Sequence, residues 1–210
     1  MDDSRPSLRA LAAIVPLALA LQACSGASPS QTELAEWSTG PARWLLLPDE
    51  QRALKQLDGR SAAIAFLEEF WARRDPDLSE PGNPFAETFF RRVEAADQLY
   101  GEGGVKGSLT DRGRALILLG PPSRIRIFQQ PALDPKHSRS PGQRVSTTEV
   151  SVEEWGYSMR EMTDAFRAEF EHDPDRPVSL RFLLDEDRAR LIEGEYYLGL
   201  AARSAARGDD

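Results

Sequence analysis

Residues 110–122 read Thr-Asp-Arg-Gly-Arg-Ala-Leu-Ile-Leu-Leu-Gly-Pro-Pro, and the prediction of the fold starts from them. Residues 110–113 have the composition of a turn, because threonine, aspartate and glycine favour turn conformations. Residues 115–119 form a continuous apolar run, which favours a strand buried on both faces. The glycine and two prolines at 120–122 then end this run. We therefore expect a turn followed by a central strand.

The residues after this run predict further strands. Residues 125–129 alternate apolar and polar side chains, and residues 145–157 and 178–184 have the composition of strands. Strands without intervening helices favour antiparallel pairing, so we predict an α+β fold with a mainly antiparallel sheet. Residues 160–171 fit either a helix or a strand. Residues 191–206 fit one more strand or a helix with a frayed tail.

The residues before the run predict helices. A short helix is expected from Pro48 to Leu57, and a longer one over residues 61–74, where apolar side chains recur at helical spacing. Asn83 followed by Pro84 predicts the start of a third helix, which ends at Gly101. We expect the last two helices to form an N-terminal helical hairpin packed on the sheet.

The N-terminal segment predicts a lipoprotein leader. An apolar run of about 14 residues ends at Cys24, which is shorter than the roughly 20 residues of a membrane-spanning helix. Leu21-Gln22-Ala23-Cys24 matches the lipobox, where bacteria cut a secretory leader and attach lipids to the cysteine. We therefore predict a signal peptide at residues 1–23, a lipidated Cys24 with a flexible tether at residues 24–43, and a folded domain at residues 44–206.

Composition excludes some classes of function. The net charge of -8 disfavours nucleic-acid binding, which requires a basic surface. Cys24 is the only cysteine, so no disulfide forms within the chain. His137 and His172 have no second histidine or cysteine nearby, so we expect no metal site, and no motif suggests a cofactor.

Several motifs follow one another along the chain, at residues 70–76, Asn83, residues 91–92, 107–114, 119–122 and 154–157. Together they resemble the GWxTD domain, a bacterial family often found on secreted or envelope-anchored proteins. The similarity extends over about Trp44 to Leu184. Ser108 replaces the tryptophan that gives the family its name, whereas Thr110 and Asp111 are kept. The resemblance implies no catalytic residues, because the family has no established activity.

The polar motif residues allow three interpretations. They could bind an anion or carboxylate through arginine forks, or Asp75 and Asp111 could act as acid and base in a hydrolase. The third interpretation is structural, with the aspartates capping a turn or pairing with arginines to hold the hairpin on the sheet. The candidate residues are Asp75, Thr110, Asp111, Arg112 and Arg114.

The sequence favours a binding or scaffolding module over an enzyme. We expect a membrane anchor at Cys24 and an envelope protein or cell-wall partner. Ser25, the residue after the cysteine, is typical of sorting to the outer membrane, so we expect the domain to face the periplasm. A hydrolase that uses Asp75 and Asp111 is the alternative.

Overall fold

A computed structural model describes residues 31–133, 147–170, 173 and 176–207. The described residues form an α+β fold, as the sequence predicts. Short 3-10 helices lie at Pro41–Trp44, Gly107–Leu109 and Met159–Glu161. None of the described helices is long and apolar enough to cross a membrane. The α-helices are α1 (Gln31–Thr39), α2 (Pro48–Lys55), α3 (Arg60–Ala72), α4 (Pro84–Leu99), α5 (Asp111–Leu119), α6 (Asp164–Ala168) and α7 (Glu195–Ala205).

One antiparallel sheet follows the first five helices, which confirms the prediction of its type. Its strands are β1 (Arg124–Leu133), β2 (Thr147–Tyr157), β3 (Val178–Asp185) and β4 (Arg188–Glu193), in the order β1-β2-β3-β4. Ile125 lies opposite Trp155, and Trp155 lies opposite Leu180 on the next strand. These residues therefore share one face of the sheet, and Trp155 is fully buried there.

The predicted central strand at residues 115–119 is wrong, because these residues form most of α5. Thr110 caps the helix, and Gly120 ends it with a φ of 81°. Ala115 and Leu119 pack into the cluster on the sheet, whereas Leu116 and Ile117 pack into a second cluster among the helices. A short apolar run does not distinguish a buried strand from a helix that is buried on two sides.

The expected hairpin directly on the sheet is not supported. Residues of α5, α6 and α7 share the hydrophobic cluster of the sheet. The aromatic rings of α3 and α4 contact each other instead, with Trp71 5.5 Å from both Phe89 and Phe90 between ring centroids. The layer of α3 and α4 is therefore joined to the sheet mainly through α5.

The expected tether at residues 24–43 includes ordered structure in its second half. Residues 31–39 form α1, and a 3-10 helix follows at Pro41–Trp44. Trp37 packs edge-on against Phe70, with 4.8 Å between ring centroids. The second half of the predicted tether is therefore helical, and an aromatic contact packs α1 on α3.

The two ambiguous segments are resolved by the structure. Residues 160–171 include the short helix α6, whose Phe166 is 2% exposed. Residues 191–206 contain both of the alternatives, since the last residues of β4 precede helix α7. Gly194 separates the strand from the helix with a φ of 104°, a conformation that favours glycine.

Candidate functional site

Thr110, the threonine of the motif, begins α5. Its Oγ1 accepts a hydrogen bond of 3.1 Å from the Gly113 amide and donates one of 2.8 Å to the Gly107 carbonyl. A methyl group on Gly113 would overlap the Gly107 carbonyl, so the two backbone segments touch. Thr110 therefore acts as the helix cap, and both of its hydrogen bonds stay within the motif.

Asp111 connects α5 to strand β4. Its Oδ2 accepts a hydrogen bond of 2.7 Å from the Leu191 amide. Strand β4 is an edge of the sheet, so this carboxylate satisfies a backbone donor at that edge. The contact agrees with the structural interpretation, although the partner is a backbone amide and not an arginine.

Arg112 joins two carboxylates. Its Nη2 lies 3.0 Å from Oε2 of Glu102, and its Nη1 lies 3.3 Å from Oε2 of Glu153. The Glu102 Oε2 also accepts from the Ala189 amide at 3.0 Å, and Trp155 Nε1 donates to Glu153 Oε1 at 2.8 Å. The guanidinium therefore joins α5 to the turn that follows α4, through Glu102, and to β2, through Glu153. Two internal carboxylates already occupy the position that an external anion would take.

Arg114 lies beside a tryptophan and a carboxylate. It forms a two-pronged ion pair with Glu195, with N–O distances of 2.9 and 2.7 Å. Its guanidinium carbon is 5.1 Å from the ring centroid of Trp44, and that of Arg43 is 3.9 Å from the same ring. Burial, and then the charge of Arg114, lower the pKa of Arg43. Both cations therefore pack on one indole, and Arg114 is committed to α7.

Asp75 is separate from the other motif residues. Its Oδ1 accepts a hydrogen bond of 3.2 Å from the Asp77 amide in the loop after α3. In the described part of the chain, no hydrogen bond or ion pair joins Asp75 to Asp111, to Arg112 or to Arg114. The predicted group of five residues is therefore not one site, and the geometry does not support an acid–base pair of the two aspartates.

A buried ion pair that the sequence analysis missed lies between α2 and α3. Arg74 is 1% exposed, and its Nη1 and Nη2 donate to the two carboxylate oxygens of Glu50 at 2.9 and 2.8 Å. The guanidinium also donates to the carbonyls of Phe70 and Leu45. An acid in the first turn of α2 and an arginine just after α3 are the only signals in the sequence, and neither indicates the pairing.

A cavity of about 250 Å³ lies where α4, α5, α6 and α7 meet. Its rim includes exposed Pro76, Pro84 and Glu161, and its floor includes buried Phe89, Phe166 and Ser204. Arg74 and Arg92 also line it. None of the five predicted site residues belongs to this lining, so the cavity is a second candidate site that the motifs do not indicate.

The remaining candidate residues cannot be placed. Cys24, His137 and His172 lie outside the described residues. Among the residues that the structure does describe, no group of histidine, cysteine, aspartate and glutamate side chains could hold a metal ion.

Ser108 occupies the tryptophan position of the motif. It is 1% exposed, its hydroxyl has no hydrogen-bond partner within the described part of the chain, and its amide donates to Asp97 at 2.7 Å. The Trp44 indole reaches this position from another element, since its Nε1 donates to the Ser108 carbonyl at 2.9 Å. An indole therefore lies beside the motif although its own tryptophan is absent.

Comparison with known proteins gives one assignment. The model of the GWxTD domain family matches residues 19–133, which includes Cys24, α1–α5 and β1. No curated protein matches the chain, and no solved structure matches it. The matched residues make up more than half of the chain and include Thr110 and Asp111 of the motif. The chain therefore belongs to the GWxTD domain family.

Proposed function

We propose that this chain is a bacterial envelope lipoprotein whose GWxTD domain binds a protein partner. In this proposal, residues 1–23 are a signal peptide that is removed, and Cys24 carries the lipid anchor. The domain is attached to the outer membrane and faces the periplasm. The sequence Leu21-Gln22-Ala23-Cys24 supports the anchor, because a short apolar core before a lipobox is typical of such leaders.

The observation that carries the binding part is the edge strand β1. Ile125 and Ile127 are 50% and 64% exposed, although Ile125 lies opposite buried Trp155 on the inner face of the sheet. β1 pairs with β2 on one side, and no described residue pairs with its other side. Exposed apolar side chains beside free backbone groups are the features that allow a further strand to add to a sheet. We therefore expect an extended segment of a partner protein here.

The contacts of the motif aspartates argue against the hydrolase alternative. The described contacts of Asp111 and Asp75 are made with the backbone of two different parts of the fold. A general acid and a general base must reach the same substrate atoms. No observation in the described part of the chain favours that arrangement.

Labelling with palmitate tests the anchor. The wild-type chain, expressed in a bacterium, should incorporate labelled palmitate and lose residues 1–23, whereas Cys24→Ser should remain an unlabelled precursor. Ser25→Ala is the matched control and should be labelled normally. Normal processing and labelling of Cys24→Ser would end the lipoprotein proposal.

Site-specific photocrosslinking in intact cells tests the binding surface. A photoreactive residue in place of Ile127 should give a defined protein adduct, whereas the same residue at Leu78 should not, because Leu78 is exposed but lies in the loop between α3 and α4 and not on β1. Ile127→Lys, on a chain with the photoreactive residue at Gln129, should remove the adduct. An adduct with cell-wall glycan, or equal adducts from Leu78 and Ile127, would overturn the choice of β1 as a protein-binding edge.

A further inference from the structure

The cavity between the helices contains polar groups without partners. Ser204 is 3% exposed, and its buried Oγ has no hydrogen-bond partner among the residues that the structure describes. Toward the described residues, Arg92 donates only from Nη1, which bonds the Ile117 carbonyl at 3.0 Å. No described residue accepts from its Nε or Nη2, and no described carboxylate pairs with it. A buried polar group without a partner is costly, so the Ser204 hydroxyl indicates a missing ligand or solvent, and the half-buried Arg92 has donors available to such a ligand.

The backbone fixes the position of the Arg92 guanidinium. The Ile117 carbonyl holds one side, and Gly120 lies against the other, since a methyl group on Gly120 would be 2.8 Å from Nη2. Burial lowers the pKa of Arg92, and the neighbouring Arg91 lowers it further, while Tyr157 acts in the opposite direction. The cation is therefore held in place and only partly solvated. A carboxylate beside the guanidinium would replace the solvation of its charge that burial removes.

The rest of the cavity wall selects for an apolar ligand. Phe89, Ile117, Leu119 and Phe166 are all less than 9% exposed and line the cavity. Its volume of about 250 Å³ lies just below the range of drug-sized ligand pockets, roughly 300–1,000 Å³, so a short molecule fits. Glu161 at the rim already accepts a hydrogen bond from Ser123 at 2.7 Å and is exposed, so solvent screens its charge.

We propose that this cavity binds a short aliphatic carboxylate, with the carboxylate paired to Arg92 and the alkyl chain against the apolar wall. Free Nε and Nη2 donors allow a two-pronged contact with the carboxylate. The buried Ser204 hydroxyl offers one more hydrogen bond in the same cavity. The site is independent of Cys24, so it stands whether or not the chain carries a lipid anchor.

Binding of octanoate to the full chain in lipid nanodiscs tests this site. Octanoate with ¹³C at its carboxyl carbon is titrated while its NMR signal is followed, and empty nanodiscs measure partitioning into lipid. We expect saturable binding to the wild type, binding that is weaker by roughly tenfold or more in Arg92→Met, and unchanged binding in Arg91→Met. Arg91 is the matched control, because it is the exposed neighbour on the same helix.

Two further comparisons separate the charge from the apolar wall. Octanol and octylammonium should each bind at least about tenfold more weakly than octanoate, because neither can pair as an anion with the guanidinium. Ala205→Leu, which fills the cavity and leaves Arg92 intact, should remove octanoate binding without unfolding the chain. The proposal is overturned if the wild type shows no saturable signal, which would mean a solvent-filled cavity. Equal binding by wild type and Arg92→Met, or by octanol and octanoate, would overturn it as well.

Discussion

Two arginines line the same cavity and have opposite surroundings. Arg74 donates four hydrogen bonds, to both oxygens of Glu50 and to the carbonyls of Phe70 and Leu45. In the described part of the chain, Arg92 donates one, to the Ile117 carbonyl. The charge of the first cation is neutralised by Glu50, with only its Nε lacking a described partner, whereas no described carboxylate pairs with the second. The difference indicates that the fold needs the Arg74 pair for stability and leaves Arg92 available to a ligand.

The largest effect is expected from removing the partner of Arg74. Glu50→Gln leaves a buried cation without its counter-charge, which should destabilise the fold by about 3–5 kcal/mol. Urea denaturation followed by circular dichroism measures this loss. Glu69→Gln is the matched control, since Glu69 is 75% exposed and its pair with Arg73 should contribute less than about 1 kcal/mol. Equal losses in the two variants would mean that Arg74 does not depend on Glu50.

Replacing the residue against which Arg92 packs should have the next largest effect. Gly120→Ala forces an ordinary side chain into a φ of 81° and towards the Arg92 guanidinium, at a cost of about 1–3 kcal/mol. Thermal unfolding measures the change. Gly199→Ala, inside α7, is the control and should be neutral or stabilising, because alanine favours a helix. A neutral Gly120→Ala would mean that the position of Arg92 is not fixed by this glycine.

The two motif aspartates, Asp111 and Asp75, are also expected to differ in their contribution to stability. Asp111→Asn keeps a neutral acceptor for the Leu191 amide but loses the charge, so we expect destabilisation by about 1–2 kcal/mol. Asp75→Asn should change stability by less than about 0.5 kcal/mol, because the described hydrogen bond of its carboxylate lies in an exposed loop. Chemical denaturation of both variants measures the difference. Similar small effects would remove the structural role of Asp111.

A carboxylate on the sheet gives a smaller, pH-dependent effect. Hydrogen bonds from Arg126 and then Arg181 lower the pKa of Glu154 in the fold. Because the pKa of Glu154 is lowered in the fold, its ionised carboxylate stabilises the fold at pH values above the ordinary pKa of 4.5. This stabilisation is lost as the pH falls through the lowered pKa. The melting temperature of the wild type should therefore fall more between neutral pH and about pH 3 than that of Glu154→Gln. Parallel pH profiles of the two proteins would contradict this assignment.

The smallest effect is expected at Arg92 itself. Arg92→Met loses one hydrogen bond but also removes a poorly solvated charge, so stability should change by less than about 0.5 kcal/mol. The same substitution at Arg74 leaves Glu50 buried and unpaired and should be strongly destabilising. Urea denaturation of the two methionine variants compares them directly. A large loss at Arg92 would make it a second structural arginine.

Local signals in the sequence predicted part of this arrangement. The Asn83 cap was predicted and is confirmed, since its side chain accepts from the Ala86 amide at 2.8 Å. The antiparallel sheet was also predicted from consecutive strands. In contrast, the strand predicted at residues 115–119 is wrong. A helix that is buried between two clusters has no polar face, so its sequence lacks the helical periodicity of apolar and polar residues.

The contacts of the candidate sites could not be predicted from local patterns. Glu50 and Arg74 are separated by 24 positions, and Asp111 and Leu191 by 80. The cavity is enclosed by segments from residue 45 to residue 205. Such groupings depend on the packing of distant segments, and no single motif records them. The role of Thr110 differs from these long-range contacts, because a helix cap depends only on residues that are close in the sequence.

The burial of α5 on two sides has a consequence for unfolding. Ala115 is fully buried in the cluster on the sheet, and Leu116 is buried in the cluster of the helices. Neither cluster can come apart without exposing this helix, so the two clusters open together as one cooperative unit. We therefore expect the backbone amides of α5 to exchange their hydrogens with solvent only when the whole domain opens, and the amides on the outer edge of β1 to exchange in the folded state.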